Sequence, residues 1–309
     1  MSQLLLPVVV GVDGTDESLQ AVRYGVHEAQ RRGCGLRLVH AAPQYAPMAP
    51  TLPLLSVETF EEVGYRLVNE AKQLAYDLTE GTLAVEKLVR SGSRVGILAR
   101  ESENACLVIL GRQAHSRFGR IITGSTSAGV AARAYCPVVI VPSSWGANHG
   151  YGRVLVGVEN ANHDRDALAA AFAAAHERGA KLTVLHCWSL RSPYDTLMTK
   201  VEVEDWQERL QVSIEREVHE WQSVYAGVQV RVEVQHERAV ASLVEASSSV
   251  DLVVVGRHGH HALRGARVGS VAHAVMRESN APVEVAPSHW SKVRPGSMLV
   301  TADEVSPQT

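Results

Sequence analysis

Long apolar runs are missing from this chain. Nowhere in its 309 residues does an uninterrupted apolar stretch approach the roughly 18 residues of a membrane-spanning helix, so no membrane span is expected. Cysteine is scarce: Cys34, Cys106, Cys136 and Cys187 are scattered without short paired spacing, which argues against a zinc site or a disulfide framework. Reduced, buried thiols in a cytosol are the expectation. Charge excess is missing too, because a net charge of −3 gives no general attraction to nucleic acid or anionic lipid. Met1 to Val12 lacks a basic leader and runs straight into Gly11-Val12-Asp13-Gly14, so no secretory signal is expected and the location is read as cytoplasmic. No Gly-x-x-x-x-Gly-Lys-Ser/Thr loop occurs, and no Gly-x-Gly-x-x-Gly follows a first strand; a Walker-type NTPase and a dinucleotide dehydrogenase are both disfavoured.

What is present is a repeat. Leu110-Gly111-Arg112-Gln113-Ala114 with Gly124-Ser125 returns, 145 positions later, as Val255-Gly256-Arg257-His258-Gly259 with Gly269-Ser270. Cys136-Pro137 to Pro142 returns as Ala281-Pro282 to Pro287, and Val9-Val10-Gly11-Val12-Asp13 returns as Leu155-Val156-Gly157-Val158-Glu159. Two domains are therefore expected, 1–146 and 151–290, with 143–152 as linker and 291–309 as a polar, mobile C-terminal tail.

Each half alternates strands and helices. In the first, a strand to Val12 feeds a helix from Asp16 to Gly33 with Thr15 as N-cap, followed by a strand at Leu36 to Ala42. A proline-rich loop, a helix over Ser56 to Thr79, a strand at Leu83 to Val89 and a helix over Gly92 to Glu103 come next. Then follow a strand at Cys106 to Leu110, a helix at Ser125 to Ala134 and a strand at Val138 to Val141. The second half runs likewise from Val154 to Val285, with helices at Asp164 to Arg178, Val203 to Tyr225, Val240 to Ser247 and Ser270 to Arg277. Strands that are nearly all apolar, separated by helices, indicate an α/β chain of two tandem doubly wound domains, each with a five-stranded parallel sheet. In such a sheet a ligand crevice lies beyond the carboxyl ends of the strands, where the Asp13 turn and the Gly111 loop both fall.

A glycine loop that leaves a buried strand and enters a helix bares main-chain N–H groups beside a helix N-terminus, an arrangement suited to phosphate. Arg112, Arg117 and Arg120, then Arg257, Arg264 and Arg267, add local positive rims. His115, His258, His260 and His261 have no neighbouring acid in sequence, so they are read as exposed and no metal is assigned. Glu284 interrupts an otherwise apolar closing strand, so one face of that strand is expected to meet solvent or a basic partner.

Gly256-x-x-Gly259 followed by Gly269-Ser270, together with an opening strand that ends in Val-Asp-Gly, resembles the universal stress protein family. The likeness covers the chain to about Pro287, in a tandem form similar to actinobacterial members. The resemblance implies an adenine-nucleotide alpha-hydrolase-like fold that binds ATP, with or without Mg2+. In the first half Asp13 would bond the ribose side, Val39 would meet adenine through its backbone, Gly111 and Arg112 would line ribose and phosphate, and Gly124 and Ser125 would hold phosphate oxygens. In the second half Gly256, Gly259, Gly269 and Ser270 take the loop roles and Val184 the adenine position. Ala114 departs from the pattern where the second loop glycine belongs, and Glu159 stands in place of aspartate, so the two sites are expected to be unequal.

The family's closing strands pair across a dimer, which implies an internal pseudo-dimer of the two halves and leaves a homodimer of chains open. The leading reading is a nucleotide-binding regulator in stress adaptation, not an enzyme. A slow ATPase of the same fold and an assembly module without nucleotide are the alternatives; His258-Gly259-His260-His261 follows the fourth strand, the wrong place for a nucleotidyl-transferase motif.

Overall fold

The fold is described from a computed structural model, which places residues 4–44, 59–112, 125–146, 150–160, 164–189, 199–257, 267–288, 290 and 299–300. After a two-residue strand β1 (Leu4–Leu5), the first half comprises β2 (Val8–Gly11), α1 (Asp16–Arg32), β3 (Leu36–Ala42), α2 (Phe60–Thr79), β4 (Val85–Ser91), α3 (Arg94–Glu101), β5 (Leu107–Gly111), α4 (Ser125–Arg133) and β6 (Val138–Val141). The second repeats it as β7 (Arg153–Val158), α5 (Arg165–Arg178), β8 (Lys181–Cys187), α6 (Lys200–Val224), β9 (Val230–Gln235), α7 (Ala239–Ala246), β10 (Leu252–Gly256), α8 (Ser270–Glu278) and β11 (Val283–Ala286). A last short strand, β12 (Leu299–Val300), lies antiparallel to β1, so part of the stretch read as a free tail is paired to the start of the chain.

Local chemistry sets these boundaries. Thr15 caps α1 by accepting from the Ser18 N–H at 3.2 Å, and the helix stops at Gly33, whose φ of 63° is left-handed. Reciprocal capping boxes start the long helices: Thr59 with Glu62 opens α2, and Thr199 with Glu202 opens α6. That second box places the start of α6 at Lys200, a turn earlier than the apolar pattern indicated.

The strands form one ten-stranded sheet in the order β4-β3-β2-β5-β6-β11-β10-β7-β8-β9. Every neighbour is parallel except the central pair, where β6 and β11 run antiparallel with Val139 opposite Glu284. These two residues occupy the same place in the repeat, so a pseudo-twofold axis passes through them and relates two five-stranded parallel halves.

Both faces are covered. α3, α4, α7 and α8 lie over a core that crosses the centre without interruption, joining Leu110, Val130 and Val138 to Val253, Val275 and Val285. The opposite face holds one core per half, under α1 and α2 and under α5 and α6. The alanine-rich α5 brings Leu168 and Phe172 into full burial, each stabilising the fold by about 1.5–3 kcal/mol.

Glu284, expected near solvent or a basic partner, is only 3% exposed. Its basic neighbours, Arg32 of α1 and Arg178 of α5, are within the chain. Arg178 bonds Glu28 across the axis, so the helices on this face are held by charge as well as by packing. Among the described residues no helix is long and apolar enough to cross a membrane.

Candidate functional site

The order of strands in each half reverses beside its first strand, and a crevice opens there past the carboxyl ends. In the first half it encloses about 320 Å³, between the ends of β2, β3 and β5 and the start of α4. In the second it encloses about 640 Å³ between the matching elements. Both volumes fall within the roughly 300–1,000 Å³ range of small-molecule sites.

The first crevice is built on a tight turn. β2 ends at Gly11, the Val12 N–H donates to the Val39 carbonyl at 2.9 Å, and Gly14, at φ 83°, reverses the chain into α1. Asp13 Oδ1 accepts the Thr15 N–H at 3.1 Å and its hydroxyl at 2.6 Å. Asp13 lines the crevice wall. Gly111 also lines the crevice, but its lack of a side chain serves packing first: a methyl there would collide with the Glu17 carbonyl.

The second crevice is organised by a residue that the sequence reading treated only as a helix start. Asp164 is 7% exposed and turns its carboxylate back on the loop, where Oδ2 accepts the N–H groups of Glu159 at 2.6 Å and Asn160 at 3.0 Å. The loop leaving β7 is thereby closed by a side chain. Glu159 lines the crevice beside it.

A buried histidine stands in each crevice at the same point of the repeat. His40 Nδ1 lies 2.8 Å from the Val12 carbonyl, and His186 Nδ1 lies 3.0 Å from the Val158 carbonyl. A carbonyl only accepts, so each Nδ1 carries the proton, and in the neutral ring Nε2 is the acceptor. Burial pushes the His186 pKa below the usual imidazole range, which keeps that ring neutral. Both histidines were visible in the duplicated sequence as Val39-His40-Ala41 and Leu185-His186-Cys187, and repeat spacing alone could have found them.

At the helix end of the second crevice, Gly269 is the N-cap of α8 and provides no side-chain cap, and Gly269, Ser270 and Val271 line the crevice there. In the first half Thr126 and Ser127 of α4 take the equivalent place, next to the exposed Ser125. Gly256 lines the second crevice as Gly111 lines the first.

Three assignments are placed differently. Val39 lines its crevice, but its carbonyl is already bonded within the sheet to Val12. Val184 is fully buried on the opposite face, and its neighbour Leu185 takes the crevice position, because a slip of one residue along a strand reverses the side chain. Arg112 does not line the crevice at all; its guanidinium donates to the Ser279 carbonyl of the other half. Ala114, Gly124 and Gly259 lie outside the described residues, as do Arg117, Arg120, Arg264, His115, His258, His260 and His261.

The two walls differ in charge. Among the described residues, Asp13 and Arg94 offset one another in the first crevice, whereas Glu159, Asp164 and Glu237 gather in the second, with Ala239 where the repeat has Arg94. The second wall also gains an indole. Trp188 stacks on His236 with ring centroids 4.2 Å apart, at a position where the first half has the buried Ala42.

Comparison with known proteins agrees with this architecture. The family model described as the universal stress protein family matches residues 6–142 and 150–287. A universal stress protein of Mycobacterium tuberculosis is 32% identical over 290 residues, covering 90% of this chain and 96% of that protein. Among solved structures, a universal stress protein from Archaeoglobus fulgidus aligns with 91% of this chain and 98% of its own at a TM-score of 0.65 and 18% identity. One from Pseudomonas aeruginosa aligns with 94% of this chain and 97% of its own at a TM-score of 0.61 and 17% identity. With two family matches that together span almost its whole length and fall on the two halves of the sheet, the chain belongs to the universal stress protein family.

Proposed function

We propose that this chain is an adenine-nucleotide-binding regulator of stress adaptation, with ATP as its ligand and no dedicated catalytic role. The observation that carries the reading is the pair of crevices at the carboxyl ends of the strands, each bounded by the start of a short helix. In the second crevice that helix start has no side-chain cap. Uncapped N–H groups and the positive end of a helix dipole favour phosphate oxygens. The volumes suit a nucleoside, and the carboxylate of Asp13 or Glu159 stands where ribose hydroxyls can donate to it. Any Mg2+ would be bound mainly through the phosphates of the nucleotide, as is usual for that ion.

Charge favours the first crevice for the polyphosphate. Arg94 offsets Asp13 there, while three carboxylates in the second wall oppose a bare triphosphate. The larger second crevice adds the Trp188 wall as a surface for the base, while the uncapped start of α8 is left to meet the phosphates.

Mass spectrometry of the purified protein under native conditions, followed by calorimetric titration with ATP, tests the proposal. One or two ATP molecules per chain are expected. A chain that carries no nucleotide and gives no binding heat with millimolar ATP is an assembly module instead.

A further inference from the structure

Arg112 and Arg257 occupy matching places in the repeat, one residue beyond the glycines that close β5 and β10, and each reaches out of its own half. Arg112 Nη1 donates to the carbonyl of Ser279, the residue that ends α8. Arg257 Nη2 donates to the carbonyl of Ala134, one residue past α4, whose N–H still bonds the Val130 carbonyl of that helix. Carbonyls at helix C-termini lack intrahelical partners and carry the negative end of the dipole, so a guanidinium is a strong partner for them. Both arginines are half-buried, and burial lowers their pKa, so a guanidinium that lost its carbonyl would be left poorly solvated.

The opposite ends of the same two helices face the crevices. Thr126 and Ser127 in the first turn of α4 stand in the wall of the first, and Ser270 and Val271 at the start of α8 stand in the wall of the second. Each helix is nine residues long, a rod of about 13 Å, too short to absorb a displacement by bending. Arg257 is tied to the second crevice by its main chain as well, since its carbonyl accepts the Gly269 N–H at 2.8 Å. One connection therefore runs from the first crevice through α4 and the Ala134 carbonyl to Arg257 and Gly269. The other runs from the second crevice through α8 and the Ser279 carbonyl to Arg112 and Gly111.

We propose that the two crevices are coupled through Arg112 and Arg257, so that a ligand held at the start of α4 or α8 tightens the contact between that helix and an arginine of the other half and alters the crevice beside it. This inference rests on the nucleotide reading above. The two arginines act as positioning residues, and the element with two states is the contact between guanidinium and carbonyl, made or broken. Linkage requires the effect to be reciprocal: whatever the first site does to the second, the second does to the first.

Hydrogen exchange of the full chain, read by mass spectrometry with and without ATP, tests the coupling. Two variants each leave a single crevice open: Ser270→Trp closes the second at an exposed position, and Thr126→Trp closes the first. With ATP in the open crevice, amides of the closed half at 256–257 and 269–279, or at 111–112 and 126–134, are expected to slow by about fivefold or more, the low end of ordinary coupling between sites. Adding Arg257→Met or Arg112→Met, which keeps the length of the side chain but removes the donor, should abolish the distant protection and leave protection at the occupied crevice in place. Protection confined to the occupied half overturns the coupling while the nucleotide reading stands. Distant protection that survives both methionine variants overturns the role of the arginines. No protection in either crevice, in the variants and in the unmodified chain alike, overturns the nucleotide reading and this inference with it.

Discussion

Arg178 of α5 crosses the pseudo-twofold axis to bond Glu28 of α1, Nη2 to Oε1, at 2.5 Å. Arg178 is the repeat counterpart of Arg32, which approaches the other Glu28 oxygen at 3.4 Å and also bonds Glu177. A single glutamate thus lies between two arginines related by the axis, and the helices of the two halves meet over it.

Removing that glutamate should be severe. Glu28 is 1% exposed, and its loss leaves the buried Arg178 with no bonded carboxylate, only the Tyr24 hydroxyl and the Ala174 carbonyl, so Glu28→Ala is expected to cost about 3–5 kcal/mol. Urea unfolding of the variant against the unmodified chain measures it. Burial opposes ionisation of Glu28, yet the arginines outweigh burial and hold its carboxyl below the usual range. Its contribution is therefore complete above the usual carboxylate pKa and disappears as pH falls through the lowered value. Glu28→Ala should remove that part of the acid sensitivity.

Glu284 has the opposite sign. Burial pushes its carboxyl from 4.5 up to about 7, and its Oε2 has no hydrogen-bond partner among the described residues. A raised folded-state value means that protonated Glu284 favours the fold below pH 4.5, an advantage that is lost as pH rises through 7. Compared with Glu284→Gln, the unmodified chain should lose about 3 kcal/mol between pH 4.5 and pH 8. Melting curves of both proteins across that interval decide it; parallel curves would mean that the carboxyl does not titrate there.

The loop of the second crevice depends on one acceptor. Asp164→Ala removes the charged acceptor that the Glu159 and Asn160 N–H groups share, a loss of about 1.5–3 kcal/mol for a hydrogen bond to a charged group. The corresponding first-half change, Ser18→Ala, removes a hydroxyl that donates to the Thr15 carbonyl and should cost less. Thermal unfolding ranks the two, and equal effects would remove Asp164 as the organiser of its loop.

Thiol chemistry should be selective. A hydrogen bond from the Cys106 side chain holds the Cys34 thiol below the ordinary range, against the opposing effect of burial, while burial pushes Cys136 up to about 12. Iodoacetamide is expected to modify Cys34 before Cys106 or Cys136, at a pH below that of a free thiol. Cys106→Ala should move the onset to higher pH. Peptide mapping after timed labelling provides the readout, and simultaneous modification of all three would refute the assignment.

Much of the fold was legible because duplication exposes register. The Gly111 and Gly256 segments, offset by a constant spacing, identify the end of β5 and the end of β10 as equivalent positions in the two halves. The site was legible in outline only. Val184 was one residue out of register, because the 145-residue spacing of the glycine loops does not hold at β8, where His40 matches His186, 146 positions on. Arg112 resembled a phosphate ligand because sequence reveals which loop it leaves but not which helix end lies across an axis. Asp164 was legible as a helix start and not as a loop clamp, because its partners, Glu159 and Asn160, are main-chain groups that any residue could provide.

The unlike pair at the middle of the sheet, Val139 facing Glu284, bears on why two copies were joined in one polypeptide. In an assembly of identical subunits, a residue on the dyad must oppose itself. Glutamate would then face glutamate, an unfavourable meeting of like charges, and valine would face valine. Covalent fusion releases that position from self-complementarity, so an ionisable group can enter the axis once rather than twice, and each half can change without its mirror image changing with it.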